Sequence, residues 1–552
     1  MVVETGWSPN DLVFLPLGGA GEIGMNLNLY GHAGKWLAID CGVTFGDETT
    51  PGADVIMPDP TFLAERRDDL VGLVLTHAHE DHIGAVQYLW TRLQCPMYAT
   101  PFTAAVLRHK LADAGVDAEV TEIAMSSRIA IGPFELELIT LTHSIPEPNA
   151  VAVRTPAGTV LHTGDWKLDP TPPIGETTDE AALRRLGEDG VLAVVGDSTN
   201  ALVDGTSGSE ADLHDSLSEL VGRSENRVAV TCFSSNVARV QTIAEVAAEH
   251  GRHVALVGRS LWRITEAARQ TGYLDRVPPF LTQYDAGYLP RDKVLLICTG
   301  SQGEPRSALF RISRDDHPHV ALGEGDVVIF SSRIIPGNEK SINQLHNQLL
   351  ALGVDVITAE DHFVHVSGHP ARDELVSMYQ WVRPRIVVPV HGEVRHMLGH
   401  AELARECQVQ HTPVILNGDV LRLSGSAPEV VGQAPVGRLA VDGTRLITLD
   451  GDDMRSRQKM LWNGCAVLTL VVDSAGELLA DPELSAPGVL GPTDEELARL
   501  IVDDVLDALD ALPAAERRVD ASLRAKAATS MRRSFRNHRG KRPQATVHVV
   551  RI

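Results

Sequence analysis

Short apolar stretches separated by Gly-, Asp- and His-rich loops fill the first 200 residues of the chain. Apolar runs of about four to eight residues bounded by turn-forming residues are typical of β-strands. The predicted strands are residues 12–17, 36–39, 70–75, 134–141, 151–154, 159–162 and 191–195. Helical patterns, such as the one at 84–93, are sparse here, so we expect sheets covered by helices rather than a helical bundle.

From about residue 205 the predicted strands and helices alternate regularly. They are, in order, strand 228–232, helix 236–250, strand 254–257, helix 261–271, strands 294–298 and 327–330, and helix 338–352. Such alternation predicts a doubly wound, parallel α/β domain. A strand at 365–369, a helix at 371–382 and a strand at 386–390 follow it.

The last part of the chain predicts a small α+β unit. Short strands near 438–449 come first, and a strand at 465–472 and an amphipathic helix at 494–510 follow. Thr493, with Glu496 three residues later, predicts a capping box at the start of this helix. The apolar face of the helix is suited to burial inside the unit or against a partner subunit.

Composition narrows the class of protein. The chain has 552 residues, of which 43% are hydrophobic and 22% charged, as expected for several globular domains and not for a disordered or fibrous protein. It has no apolar run long enough to span a bilayer and no signal-peptide pattern, and its six cysteines are scattered without a Cys-x-x-Cys pair. We therefore expect a cytoplasmic protein with no membrane partner, no disulfide framework and no cysteine-based zinc site.

The net charge of −24 is unevenly distributed. Residues 517–552 contain eleven Lys or Arg and one acid, Asp520, which gives +10 and leaves −34 for the first 516 residues. Residues 473–510 contain eleven Asp or Glu and one Arg. These two blocks either pair with each other or leave the basic block to face a polyanion. Net charge alone disfavours nucleic acid, but metals and helix N-termini bind phosphate without it.

A cluster of metal-binding side chains follows the predicted strand at 70–75. Residues 76–84 read Thr-His-Ala-His-Glu-Asp-His-Ile-Gly, so three histidines and one aspartate lie within six positions. They are His77, His79, Asp81 and His82. Imidazole and carboxylate donors that converge in this way suit zinc and also manganese. The sequence therefore predicts a metal site at the end of this strand.

This cluster, one earlier motif and two later motifs resemble the metallo-β-lactamase superfamily. The motifs are Ile-Asp-Cys-Gly with Asp40, Leu-Thr-His-Ser with His143, and His-Thr-Gly-Asp with Asp165. The resemblance implies two metals bridged by Asp165, with Asp40 orienting the ligands through hydrogen bonds. The ligands implied for the first metal are His77, His79 and His143. Those implied for the second are Asp81, His82 and, from a later motif, His391.

A block of about 160 residues separates Gly-Asp-Ser-Thr at 196–199 from His-Val-Ser-Gly-His at 365–369. An α/β domain inserted at this point resembles the β-CASP nucleases, in which the insertion clamps nucleic acid over the metals. Their later motifs match Asp197, His369 and His391. By this resemblance Asp81, Asp197 and His369 would take part in catalysis, with His369 as a general acid.

The match narrows to the bacterial ribonuclease J family through five motifs. They are Leu-Gly-Gly-Ala-Gly-Glu-Ile-Gly-Met-Asn (17–26), Thr-Gly-Ser-Gln-Gly-Glu-Pro (299–305), Ile-Pro-Gly-Asn-Glu (335–339), His-Val-Ser-Gly-His (365–369) and Pro-Val-His-Gly-Glu (389–393). The implied fold is α/β: a metallo-β-lactamase αββα sandwich with an inserted β-CASP doubly wound α/β domain and a small C-terminal α+β domain. The expected boundaries are 1–205 and 365–445 for the sandwich, 206–364 for the insertion, 446–462 for a linker and 463–552 for the C-terminal domain.

The resemblance implies a zinc-dependent ribonuclease that acts in RNA decay and processing, including that of rRNA and mRNA. It would bind two Zn²⁺ per subunit, with Mn²⁺ or Mg²⁺ as alternatives. Its substrate would be single-stranded, 5′-monophosphorylated RNA, degraded 5′→3′ and also cleaved internally to leave 5′-phosphate and 3′-hydroxyl ends. It would form a homodimer or homotetramer through the C-terminal domain and could join an RNA-decay complex.

Polar residues at two predicted helix starts are candidates for binding RNA phosphates. They are Ser235, Asn236, Ser367, Gly368 and His369, since helix N-termini with short hydroxyl or amide side chains bind anions. Taken singly, each of them fits a helix-capping role somewhat better than a phosphate-binding one. Phe45 either stacks on an RNA base or packs within the protein.

Three other functions remain open on the sequence. A small-molecule metallohydrolase, such as a lactonase or thioesterase, would share the metal site but leave the insertion unexplained. A degenerate β-CASP subunit would bind RNA or act as a scaffold, but such subunits lose metal ligands and this chain has the full set. Within the nucleases, a DNA-directed or tRNA 3′-end enzyme is the alternative.

Overall fold

The computed structural model describes residues 6–552, which form two compact units. The first unit contains the residues up to 44 together with 57–436, and the second contains 45–56 together with 437–552. None of the helices in the described range is both long and apolar enough to cross a membrane.

Two facing sheets form the centre of the first unit. The strands of the eight-stranded sheet are, in spatial order, Glu429–Gln433, Asp419–Arg422, Val13–Gly18, Leu27–His32, Lys35–Ile39, Leu70–Val74, Met97–Ala99 and Val120–Glu122. Those of the six-stranded sheet are Arg128–Ile131, Phe134–Thr140, Asn149–Thr155, Gly158–His162, Ala193–Asp197 and Ile386–Val390. Phe14 and Tyr30 of the first sheet share one buried core with Phe134 and Val160 of the second.

Helices cover the outer faces of both sheets. On the side of the eight-stranded sheet they are Thr61–Ala64, Glu80–Ile83, Val86–Leu93 and Pro101–Ala114. On the side of the six-stranded sheet they are Glu180–Asp189, Arg372–Val382 and Val394–Glu406. The second group buries Leu183, Met378 and Leu403 in a core against the sheet, since each helix has one apolar face. The predicted αββα sandwich is confirmed.

A five-stranded parallel sheet forms the rest of the first unit. Its strands are, in spatial order, His253–Val257, Val294–Cys298, Val228–Thr231, Val327–Phe330 and Asp355–Ile357. The accompanying helices are Leu213–Gly222, Val237–Glu249, Arg259–Gln270, Gln283–Ala286, Ala308–Ser313 and Glu339–Ala351. Separate buried cores lie on the two faces of the sheet, so the predicted doubly wound domain is also confirmed.

The second unit is built on a three-stranded sheet. Its central strand, Cys465–Val472, pairs in parallel with Gln544–Arg551 and antiparallel with Glu483–Ser485. The helices of this unit are Asp452–Asn463, Glu495–Asp510, Ala514–Arg517 and Asp520–Arg539. The hairpin of Arg438–Asp442 and Arg445–Thr448 precedes them.

Residues 446–462, expected to be a linker, contain most of the helix Asp452–Asn463. Two other local predictions were wrong. Residues 365–369 form no strand. The C-terminal helix begins at Glu495 without the predicted capping box, because the Asp494 carboxylate accepts a hydrogen bond from the N–H of Gly491 (2.8 Å) one turn earlier. The domain boundaries given above otherwise stay a prediction.

The register of the strands brings the predicted ligands to one edge of the sandwich. Ile39 pairs in parallel with Val74, so Asp40 and the loop that begins at Thr76 leave neighbouring strands at the same level. In the second sheet His162 pairs with Val195 and Asp197 with Val390, also in parallel. The segments carrying Asp165, Asp197 and His391 therefore leave the sheet at one edge.

Candidate metal centre

Three histidines and one aspartate form the first donor group. Nδ1 of His79 lies 3.1 Å from Nε2 of His77 and 3.0 Å from Nε2 of His143. Oδ2 of Asp165 lies 3.9 Å from the His77 nitrogen and 4.0 Å from the His143 nitrogen. Ligand nitrogens around one tetrahedral zinc ion stand about 3.3 Å apart, so the spacing suits a single ion.

The second donor group shares Asp165 with the first. Nε2 of His82 lies 3.1 Å from Oδ2 of Asp165 and 3.6 Å from Oδ2 of Asp81. Nε2 of His391 lies 3.0 Å from the same Asp81 oxygen, and its Nδ1 lies 3.4 Å from Oδ1 of Asp165. The four residues place their donor atoms within 4.8 Å of one another. The carboxylate of Asp165 thus stands between two donor groups.

A third group contains two of the three residues with predicted catalytic roles, Asp197 and His369. Asp165, Asp197, His369 and His391 also bring donor atoms within 4.8 Å. Nδ1 of His369 donates to Oδ2 of Asp197 (2.8 Å), and Asp197 in turn accepts the N–H and O–H of Thr199 (2.9 and 2.7 Å). This geometry makes His369 either a ligand or a base and acid held in orientation by Asp197.

Hydrogen bonds outside the donor groups fix which ring nitrogen faces the centre. Nδ1 of His82 donates to Oδ2 of Asp40 (2.7 Å), and Nδ1 of His143 donates to the carbonyl of Gly368 (2.5 Å). Thr76 donates its N–H to Oδ1 of Asp40 (2.8 Å). In both histidines Nε2 is therefore the nitrogen directed at the other donors, as metal-binding histidines require.

The Asp40 contact gives a direct prediction for metal affinity. Asp40 has φ of +64°, a region that asparagine tolerates, so Asp40→Asn keeps the backbone but replaces an acceptor of His82 or Thr76 with an amide N–H. We expect metal affinity to fall about 10- to 100-fold. Competition with a chromogenic chelator measures it. Asp113→Asn, a change to an exposed carboxylate, is the control, and equal affinities in both variants would contradict the role of Asp40.

Burial and charge prepare the donors for metal binding. Burial lowers the pKa of His79 to about 4, and burial together with neighbouring imidazoles lowers those of His77 and His143 further. These rings are neutral at physiological pH, so their nitrogens can donate electron pairs. Burial alone would raise the pKa of Asp165, but the neighbouring His391 and His82 lower it to about 2. Asp165 is therefore ionised.

The donor set fits a pair of divalent cations. Oδ1 of Asp165 is a buried oxygen with no hydrogen-bond partner among the described residues, which is costly unless a cation pairs with it. All the donors are imidazole nitrogens or carboxylate oxygens, the chemistry that zinc and manganese share. His77, His79 and His143 would hold one ion, and Asp81, His82 and His391 the other, with Asp165 common to both.

The candidate phosphate-binding residues differ in how many of their polar atoms are already hydrogen-bonded within the protein. Asn236 is the N-cap of the helix Val237–Glu249: its Oδ1 accepts the N–H of Arg239 (2.9 Å) and its amide donates to Glu210 (3.2 Å). Both ends of that side chain are thus used inside the protein, and capping is its observed role. Ser235 is half-buried and precedes the cap.

The loop from Ser367 to His369 is held in place by its neighbour Asn200. The Asn200 amide donates to Oγ of Ser367 (2.7 Å) and to the carbonyl of His369 (3.0 Å), and the His369 N–H donates to the same Oγ (3.2 Å). Ser367 thus accepts two hydrogen bonds and keeps its own O–H to donate. Gly368 contributes its carbonyl to His143, and a Cβ at this position would lie 2.8 Å from that ring.

The candidate Phe45 and Gln302, a residue of the motif at 299–305, lie apart from these groups. Phe45 is 66% exposed and belongs to the second unit, so its stacking role stays a prediction. Gln302 instead joins two loops, because its amide donates to the carbonyl of Arg333 (2.9 Å) and its carbonyl oxygen accepts the N–H of Ile335 (2.9 Å). A loop-stabilising role for Gln302 follows.

Sequence reasoning gave no role to several residues that support the centre. Asn26 is the last residue of the motif at 17–26, and its amide donates to the carbonyl of Asp81 (3.0 Å). Gly42 lets the loop after Asp40 approach the metal-binding segment, since a Cβ there would lie 1.6 Å from the Asp81 carbonyl oxygen. The asparagine of the motif at 17–26 and the glycine of Ile-Asp-Cys-Gly are the sequence features that could have indicated these supporting roles.

Glu374 is the most connected of the residues that were missed. It is buried on the helix Arg372–Val382, and its carboxylate accepts four hydrogen bonds: from the N–H groups of Leu168 (2.8 Å), Ser207 (2.9 Å) and Ala371 (2.7 Å) and from the Ser207 hydroxyl (2.7 Å). It joins the segment after Asp165, the chain entering the parallel domain and the start of its own helix.

Glu374→Gln should therefore destabilise the first unit. Each carboxylate oxygen accepts two donors, so an amide N–H₂ would face two N–H or O–H groups in a buried place. We expect a loss of about 2–4 kcal/mol, seen as a lower thermal midpoint of the full chain. Glu406→Gln, which affects an exposed pair with Arg372, should leave the midpoint unchanged. Equal thermal midpoints in the two variants would contradict a stabilising role for Glu374.

Comparison with known proteins identifies the family of this chain. A protein from Sinorhizobium meliloti named Ribonuclease J is 46% identical over 550 residues, covering 98% of each chain. The chain belongs to the ribonuclease J family. Four family profiles agree: Metallo-beta-lactamase superfamily over residues 26–188, Ribonuclease J, beta-CASP domain over 225–349, Zn-dependent metallo-hydrolase RNA specificity domain over 353–413, and Ribonuclease J C-terminal domain over 453–552. The family predicted from the motifs is confirmed.

More distant ribonuclease J proteins match most of the chain. One from Mycobacterium tuberculosis strain H37Rv is 40% identical, covering 89% of this chain and 90% of its own. One from Thermus thermophilus is 38% identical, covering 85% and 83%. A crystal structure of a protein of unknown function from Enterococcus faecalis V583 has a TM-score of 0.52 at 14% identity, covering 75% of this chain and all of that one. The last likeness concerns the fold alone.

Proposed function

We propose that the protein is a metal-dependent ribonuclease that hydrolyses RNA phosphodiester bonds in RNA decay and processing. The observation that carries this proposal is the pair of donor groups that share Asp165, found in a chain of the ribonuclease J family. The complete donor set argues against a degenerate subunit. The match to an RNA specificity domain and a β-CASP domain favours RNA over a small molecule.

The protein's own residues arrange the reaction. Two bound divalent cations, with zinc as first choice and manganese or magnesium as alternatives, would activate a water molecule and neutralise charge on the phosphoryl oxygens. Asp81 and Asp165 would supply negative charge that offsets the positive charge of the two cations. The hydrogen bonds that His82 and His143 donate to Asp40 and to the Gly368 carbonyl orient the two rings before any ion or substrate arrives, so little reorganisation is needed.

We assign the proton transfer to His369. Its Nδ1–H is engaged by Asp197, so Nε2 is the nitrogen available to give a proton to the departing 3′ oxygen. The charge of Asp197, together with its hydrogen bond, raises the pKa of His369 against the effect of burial. A general acid needs its proton at the pH of the reaction, and this shift acts in that direction. The products would carry 5′-phosphate and 3′-hydroxyl ends.

Recognition of a 5′-monophosphate is assigned to the loop that contains Ser367. The Ser367 hydroxyl accepts hydrogen bonds from the Asn200 amide and from the His369 N–H, and its own O–H can donate to a phosphate oxygen. Ser235 stands before a helix N-terminus, where anions are favoured. These two hydroxyls support 5′→3′ exonuclease action on single-stranded RNA, and internal cleavage would use the same metal centre.

The test uses one RNA sequence in four forms: with a 5′-monophosphate, a 5′-triphosphate, a 5′-hydroxyl and as a closed circle. Protein stripped by chelation and reloaded with zinc, manganese or magnesium should degrade the monophosphate form fastest and cut the circle, which has no end, more slowly. Equal rates on the three linear forms would rule out the end pocket, and no cleavage of any form would rule out the function.

A matched pair of serine variants sharpens this test. Ser367→Ala should reduce the preference for the 5′-monophosphate while cleavage of the circular RNA persists. Ser377→Ala, on the exposed side of the helix Arg372–Val382, removes a hydroxyl that only bonds a backbone carbonyl and should change neither. The oligomeric state, membership of an RNA-decay complex and the cytoplasmic location stay predictions from the sequence.

A further inference from the structure

On one face of the helix Asp520–Arg539 in the second unit, all the charged residues are cations. The residues of this helix that pack into the core of the unit are Leu523, Ala527, Met531 and Phe535. With 3.6 residues per turn, the opposite face brings together Lys526, Arg532, Arg533 and Arg536. We call these four residues the basic face. Its three arginines are exposed and its lysine is half-buried.

The basic block of the sequence is only partly paired inside the unit. Arg517 pairs with Glu477 (2.8 Å), and Arg551 pairs with Asp520 (2.8 Å). Arg539 pairs with Asp494. Within residues 6–552, none of the four residues of the basic face has an ion-pair partner. The face therefore keeps its positive charge, whereas the arginines beside it have been neutralised.

An exposed aromatic ring lies beside the turn that follows the basic helix. Trp462, at the end of the helix Asp452–Asn463, is 72% exposed. Nζ of Lys541 donates to the carbonyl of Trp462 (2.6 Å), and the N–H of Arg542 donates to the side chain of Asn463 (3.1 Å). Lys541 and Arg542 are themselves exposed, so two further cationic residues lie in the segment that is hydrogen-bonded to the end of this helix.

We propose that the basic face and Trp462 together bind single-stranded RNA. Guanidinium groups bind phosphates, and an exposed indole stacks on an unpaired base whatever its identity. The choice of RNA as the polyanion rests on the proposed function. An acidic protein surface, including residues 473–510 of a second copy, is the competing occupant. An exposed indole in the same unit as unpaired cations favours RNA, because RNA offers both bases that stack and phosphates that bind cations.

The surface belongs to the second unit, whereas every donor of the metal centre belongs to the first. The basic face and Trp462 would add affinity for RNA that is long enough to contact them and the metal centre at once. We therefore expect them to matter for long substrates and not for a hexanucleotide, and to act in the absence of metal. This separates binding at the surface from hydrolysis at the metal centre.

The experiment measures binding of a long, fluorescent single-stranded RNA to full-length protein in the presence of chelator, over a series of salt concentrations. The variant carries Arg532→Glu, Arg533→Glu and Arg536→Glu. The control carries Arg92→Glu, Arg314→Glu and Arg383→Glu, three exposed arginines of the first unit with the same change of charge. We expect the variant to bind at least about tenfold more weakly and its salt slope to be shallower by about 2, since each lost phosphate contact removes about 0.7.

A second variant separates stacking from charge. Trp462→Ala should weaken binding of the same RNA about tenfold without changing the salt slope, because stacking releases no counterions. Thermal melting of each variant at the wild-type midpoint shows that the fold is kept.

Two results would overturn the proposal. One is equal RNA binding by wild type, the charge-reversal variant and its control. The other is unchanged RNA binding with a smaller sedimentation coefficient in the charge-reversal variant, which would assign the surface to a second copy. Cleavage of the hexanucleotide by metal-loaded protein is measured in parallel. If the wild-type protein does not cleave the hexanucleotide, the proposed function is wrong, even where the binding results support RNA binding at the basic face.

Discussion

Replacing Asp165 with asparagine is expected to abolish RNA hydrolysis, with a loss of at least about 10³-fold. Asp165 belongs to all three donor groups, and its two oxygens face His82 and His391 at 3.1 and 3.4 Å. An amide removes the negative charge between the two ion positions and turns one donor atom into an N–H₂ group. Metal analysis should find fewer than two ions per chain, and end-labelled RNA gives the rate.

Asp179→Asn is the matched control for that experiment. Asp179 caps the helix Glu180–Asp189 by accepting the N–H of Ala182 (2.9 Å), and asparagine caps about as well as aspartate. This control should keep both its metal content and its activity. An Asp165→Asn protein that retained two ions and full activity would mean that the aspartate is not shared between the donor groups.

The second large effect is expected at His369. Replacing it with alanine should lower kcat by about 10²- to 10⁴-fold, the usual contribution of a general acid, while the metal content stays at the wild-type value. Substrates with a better leaving group than a ribose 3′ oxygen should recover much of the rate, because they need less protonation. Rapid-quench measurements on labelled RNA and on such an analogue give the comparison.

Metal content decides between the two roles that the geometry offers His369. If His369→Ala loses one ion, the group of Asp165, Asp197, His369 and His391 holds a metal and the acid role is wrong. Asp197→Asn should resemble His369→Ala, because it weakens the bond that orients the ring. His109→Ala, on the helix Pro101–Ala114, is the control and should match wild type in both measurements.

Much of the centre was predictable because its ligands stand at the ends of strands. The cluster from His77 to His82 is local in sequence, and one loop suffices to bring its side chains together. His369 and His391 lie about 290 and 310 residues later, and only the resemblance to a family joined them to that cluster. Hydrophobic periodicity placed the strands that carry Asp165 and Asp197 but not the distances between their side chains.

What escaped prediction depends on contacts between distant segments. Residues 365–369 have an alternation typical of a strand, but their neighbours hold them in a loop: the Ser331 hydroxyl donates to the carbonyl of Val364 (2.7 Å), and Asn200 binds Ser367. Glu374 resembles any helical glutamate until its four donors are known. The capping box at Thr493 failed because a side chain one residue later, Asp494, forms a different turn with Gly491.

The position of the strand Ile386–Val390 has a consequence for synthesis of the protein. It completes the six-stranded sheet by pairing with Ala193–Asp197, and it is followed at once by His391. At about 5–20 residues per second, the ribosome needs roughly 10–45 s to travel from Asp165 to His391. For that time the nascent chain lacks part of every donor group except the first. A complete set of donors can therefore form only after the parallel domain has been made.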